Sequence, residues 1–74
     1  MFNYLIYGKN NLSMSKYRPL GDKDFEINLI NAVFYSTYEQ AKGKFNELIN
    51  DNKDMNWQIR NYNTKKILNN YHGY

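Results

Sequence analysis

The chain has 74 residues, a net charge of +3, one histidine and no cysteine. That length leaves room for a single domain, residues 1–74, with one small core. Without cysteine there is neither a disulfide nor a thiolate metal site, and with His72 as the only histidine a Ser-His-Asp triad or a histidine metal cluster is not expected. The mild positive excess favours anionic ligands over cationic ones without the charge density of a dedicated DNA-binding domain.

In chain order, Phe2-Asn-Tyr-Leu-Ile-Tyr7 reads as a first strand with Phe2, Tyr4 and Ile6 on one face, ended by Gly8. Met1 to Gly8 is too short and too polar for a signal peptide, and no apolar run approaches membrane-spanning length. From Gly8 to about Asp24 the chain has no sustained period, and a loop this long in so small a domain points to function. Phe25-Glu-Ile-Asn-Leu29 alternates, and Ile30 to Tyr35 continues as β-prone sequence. This is either one strand with a bulge near Leu29-Ile30 or two short extended pieces.

The next stretch carries the clearest signal. Thr37 with Gln40 fits a capping box, as does Ser36 with Glu39 one residue earlier. Ala41, Phe45, Leu48 and Ile49 then recur at helical spacing, and the run Asn50-Asp-Asn-Lys-Asp54 ends the helix. Gly43 falls among the solvent-facing positions. Asn56 to Tyr62 alternates again as a third strand, with Trp57 facing the helix and Gln58, Arg60 and Tyr62 on the other side. Thr64 followed by Ile67, Leu68 and Tyr71 suggests a short C-terminal helix or a docking tail.

These elements imply an α+β domain: a three-stranded antiparallel sheet with one main helix packed on one face in a split β-α-β arrangement, plus the short C-terminal helix. Apolar burial in so short a chain barely offsets chain entropy, so a homo-oligomer is expected.

The residues show no catalytic constellation, metal site or cofactor motif, and the chain is not expected to be an enzyme. Asp51 and Asp54 lack the alternation of a calcium loop, and Gly8 and Gly21 form no phosphate-loop pattern. The candidates for binding are Tyr7, Lys9, Lys16, Tyr17 and Arg18, joined by Arg60 from the third strand. Lysine and arginine neutralise phosphates, while tyrosine presents a ring on which a base can stack. The same chemistry would serve a nucleotide or a short nucleic acid; the plain alternative is a solvated basic loop. Lys65 and Lys66 are assigned to a solubilising face.

Four segments carry a resemblance: Tyr7-Gly-Lys9, Ser15-Lys-Tyr-Arg-Pro19, Asn28-Leu-Ile-Asn-Ala32 and Phe34-Tyr-Ser-Thr-Tyr-Glu-Gln-Ala-Lys42. Together they resemble small phage or prophage proteins of low-GC Gram-positive bacteria, over roughly residues 2 to 62. The resemblance implies a counter-defence protein acting in the cytoplasm of the bacterial host cell. In that setting the basic-aromatic loop would sequester an anionic nucleotide signal, as cyclic-nucleotide sponges do. The alternative it implies is an anti-CRISPR-like inhibitor that binds a host defence protein; DNA-mimicking inhibitors are acidic, which this chain is not. No membrane partner is expected.

Overall fold

The computed structural model describes residues 3–12, 15–22, 24–26 and 29–73. Phe2, Ile27 and Asn28, all expected in strands, lie outside the described residues. The first strand, β1 (Tyr4–Lys9), turns Ile6 and Gly8 to one side and Leu5 and Tyr7 to the other. Gly8 does not end it. The Trp57 ring lies directly over this position, so that a Cβ there would sit 2.6 Å from ring carbons and 2.8 Å from Phe25. Only glycine lets the strand continue beneath the tryptophan.

The remaining elements are β2 (Arg18–Pro19), a 3-10 turn (Leu29–Asn31), β3 (Phe34–Tyr35), α1 (Tyr38–Asp51), β4 (Asn56–Asn61) and β5 (Ile67–Tyr71). They form a five-stranded antiparallel sheet in the order β2-β1-β4-β5, with β3 also paired to β1. Since β4 runs along the whole of β1, β2 and β3 share its opposite edge, β2 at Tyr7 and Gly8 and β3 at Tyr4 and Leu5. β3 and β4 thus flank β1, and α1 is the connection between them.

The expected three-stranded sheet with a C-terminal helix is therefore corrected at both margins. On one side, the segment expected to be a loop folds back as β2, and further bridges join Leu20 to Phe25 and Gly21 to Ala32. Between Phe25 and β3 the chain makes the 3-10 turn, not a bulged strand. On the other side, residues 67–71 form an edge strand. Thr64 caps no helix; it belongs to a hairpin turn in which the Asn61 side chain accepts hydrogen bonds from the amides of Asn63 and Thr64 (2.9 and 3.0 Å). The pairing then slips by one. Ile59 faces Asn69 but Arg60 faces Ile67, leaving Leu68 as an extra residue. That bulge sets Ile67, Leu68 and Tyr71 at a spacing that imitates a helix.

α1 starts where its signals place it. Thr37 is the N-cap, its hydroxyl accepting from the Gln40 amide at 3.2 Å. Gln40 returns the bond one residue further back, its side-chain oxygen accepting from the Ser36 hydroxyl and amide (2.8 and 3.3 Å). The helix lays Ala41 and Phe45 on Ile6, Trp57 and Ile59, which make the buried core, with Tyr4, Tyr35, Tyr38, Leu48 and Tyr71 packed around it. Phe25 stacks on Trp57 with ring centroids 5.8 Å apart. The chain end is tied down: the Gly73 amide donates to the buried Asn56 side chain at 2.7 Å, and Tyr71 donates its hydroxyl proton to the Lys53 carbonyl.

Candidate functional site

The helix covers one face of the sheet, and strand alternation sends Leu5, Tyr7 and Lys9 of β1 and Gln58 and Arg60 of β4 to the other. Leu5 is only 1% exposed there. Leu29, Arg60 and Tyr62 line a small hollow with it, and Phe34 is its partner in β3. The rest of this open face is polar, aromatic and basic.

At its centre the Arg60 guanidinium lies over the Tyr7 ring, 3.9 Å from the centroid, and 5.4 Å from the Tyr17 ring. Its Nε donates to the Gln58 side chain at 2.9 Å, and Gln58 in turn donates to Asn70 on β5. This chain of contacts fixes the plane of the guanidinium, and among the described residues no carboxylate neutralises it. The Lys9 ammonium sits 5.6 Å from the other partner, Tyr17, so two cations and two tyrosines form one cluster. Lys9 also donates to the carbonyls of Leu12 and Ser15 (3.3 and 3.5 Å), which ties these two residues to the strand end.

Lys16 and Arg18 are not part of that cluster. Arg18 pairs with Gly8, one residue off the Tyr7–Pro19 pair, so it leaves its strand on the side opposite to Tyr17 and Pro19. Lys9, Ser15, Lys16 and Arg18 instead line an open cleft of about 500 Å³, whose apolar wall is Phe25 and Met55. The six sequence candidates thus separate into a ring-and-guanidinium cluster (Tyr7, Tyr17, Arg60) and a cationic cleft (Lys16, Arg18), with Lys9 bordering both. Nothing in the linear order distinguishes Tyr17 from Arg18; only the register of β2 does.

Two features escape a reading of the residues in sequence. Gln58 and Asn70, which orient Arg60, meet only once β5 is known to be a strand. Tyr62 and Lys65 meet across the β4–β5 turn, the ammonium 4.2 Å from the ring, so Lys65 is more than a solubilising charge. The run Asn61-Tyr-Asn-Thr64 between apolar segments is the turn signal that could have found them. His72 is exposed, and its Nδ1 meets the adjoining Gly73 carbonyl at 3.1 Å. Among the described residues no three metal-ligating side chains gather, and no helix is long and apolar enough to cross a membrane.

A second surface adjoins this one. Ile30 is 85% exposed and, with Leu29, Phe34 and Tyr62, lines a shallow apolar dish of about 550 Å³. Phe34 and Tyr62 meet edge to face with centroids 5.3 Å apart. Comparison of the chain with protein-family models, curated proteins and solved structures finds no match.

Proposed function

We propose that this protein is a non-enzymatic binder of an anionic, nucleotide-type ligand, which it takes up on the open face of its sheet. The observation that carries the reading is the Arg60 guanidinium over the Tyr7 ring and 5.4 Å from the Tyr17 ring, with Lys9 joining this cluster to the cleft lined by Lys16 and Arg18. A base stacks on a guanidinium plane or a tyrosine ring, and phosphate oxygens take the cations. Because Gln58 and the rings already orient Arg60, little side-chain entropy is lost on binding. In the counter-defence setting that the sequence resemblance suggests, the same chemistry would sequester a cyclic-nucleotide signal in the host cytoplasm, and a homo-oligomer would bring two such faces to one ligand.

The test is a panel of cyclic di- and trinucleotides and ADP-ribose derivatives, followed by melting temperature and calorimetry. A ligand at a hundred times its dissociation constant stabilises the fold by about 2.7 kcal/mol. Arg60→Ala should remove that gain from the cluster, and Lys16→Ala with Arg18→Ala from the cleft, the two variants of the exposed cleft cations melting close to the parent. No shift with any member of the panel would sink this reading.

One observation favours a second reading, an inhibitor that docks on a host defence protein. The dish of Leu29, Ile30, Phe34 and Tyr62 is apolar and aromatic, as the centres of protein interfaces are. Ile30→Asp would abolish such docking and leave nucleotide binding intact.

A further inference from the structure

The charges of this chain are segregated. All seven acids lie in the segment after β2 (Asp22, Asp24, Glu26), on α1 (Glu39, Glu47, Asp51) or in the turn that follows it (Asp54). β1, β4, β5 and the β4–β5 turn contain none, and they carry Lys9, Arg60, Lys65 and Lys66. Three of those four cations stand against tyrosine rings: Lys65 on Tyr62, Arg60 on Tyr7 and Tyr17, and Lys9 on Tyr17.

These pairs follow the strands. Arg60 lies opposite Leu5, and Lys9 lies opposite Asn56 at the far end of the same ladder. Asn56 to Asn61 is five residue steps of β4, roughly 17 Å at about 3.3 Å per residue, with Tyr62 and Lys65 in the turn beyond it. Three rings, Tyr62, Tyr7 and Tyr17, each stand beside a cation, whereas a mononucleotide has a single base to stack. A single strand can engage all three, placing successive bases on rings and successive phosphates on cations. The exposed Asn70 side chain, which accepts from the buried Gln58, lies on the same face as a polar group for base edges.

Lys65 adds an independent indication. It has φ 63°, the only positive value at a non-glycine position among the described residues. Glycine or asparagine takes up this left-handed conformation more readily than lysine. The turn therefore holds a less suited residue, and what lysine contributes there is an ammonium 4.2 Å from the Tyr62 ring.

We propose that the open face, from Lys65 and Tyr62 through Arg60, Tyr7 and Tyr17 to Lys9, is a track for single-stranded nucleic acid several nucleotides long. The inference rests on the nucleotide-binding reading above and specifies its ligand as a polymer, RNA or DNA.

The experiment is fluorescence anisotropy of labelled thymidine oligonucleotides of two, four and eight residues, the uridine octamer, an eight-base-pair duplex, and cyclic dinucleotides as competitors. Affinity should rise with length, exceed that for the duplex, and fall with salt. Tyr62→Ala should weaken the octamer about fivefold or more and leave the dinucleotide unchanged. Lys65→Gly should melt no lower than the parent yet reduce the logarithmic salt slope for the octamer by about 0.7. Comparison of thymidine and uridine octamers decides between DNA and RNA. If cyclic dinucleotides bind and the octamer is no tighter, the track is overturned and the nucleotide site stands. Equal binding of the duplex, or an octamer insensitive to both variants, also overturns the track. If neither dinucleotides nor oligonucleotides bind, both readings fall.

Discussion

The two faces of one sheet are built on opposite principles. Under α1, Ile6, Trp57 and Ile59 cluster with Ala41 and Phe45, and each is at most 2% exposed. On the other side the same strands present Tyr7, Gln58 and Arg60, where Arg60 lies over the Tyr7 ring and donates its Nε–H to Gln58, and Gln58 donates to Asn70. A strand alternates its side chains, so one stretch of six residues, Asn56–Asn61, serves both purposes at once. Substitutions on the first face should therefore damage the fold, and those of exposed residues on the second should damage binding.

The largest effect should come from Trp57→Ala, which empties the centre of the covered face and removes the support under Gly8 and Phe25; about 3–5 kcal/mol of stability should be lost in urea unfolding. Gly8→Ala attacks the same contact from the other side. The new methyl group meets the indole at 2.6 Å, and overpacking of this kind costs about 1–3 kcal/mol. Were Gly8→Ala neutral, the tryptophan would not be fixed over the strand, and the contrast between the faces would weaken. Gly43→Ala should go the other way. It sits on the solvent side of α1 with nothing within 4 Å of an added Cβ, so the helix should gain about 0.5–1 kcal/mol.

The smallest effect is an alkaline one. Burial first, and the nearby Glu47 carboxylate second, raise the Tyr35 phenol above its ordinary value of 10.0. Its neutral form is therefore favoured in the folded state. Stability from this group is complete below about pH 10 and is lost as pH rises through the higher folded value. Tyr35→Phe should flatten that decline in a pH series of thermal melts.

What was legible in the residues tracks how local each signal is. The helix announces itself through Thr37, Gln40 and the stripe from Ala41 to Ile49, all within one element. β4 is equally plain, because Trp57 and Ile59 alternate with Gln58 and Arg60. β2 is two residues long and exists only by pairing with β1, so no period in Arg18-Pro19 could reveal it. β5 is hidden by the extra residue Leu68, which breaks the alternation. The site followed the same division. Tyr7, Lys9, Tyr17 and Arg60 were identifiable as chemistry, but their convergence, the separation of Lys16 and Arg18 into a cleft, and the meeting of Tyr62 with Lys65 all depend on non-local pairing.

The face of Tyr7, Arg60 and Tyr62 binds, and the helix side supports it. This division is tested most directly by titrating the thymidine octamer into isotopically labelled protein and following backbone and tyrosine-ring NMR shifts. Shifts should concentrate at Tyr7, Lys9, Tyr17, Arg60, Tyr62 and Lys65, leaving the solvent side of α1 around Gly43 and Glu47 unmoved. Shifts centred on α1, or none at saturating octamer, would contradict the account.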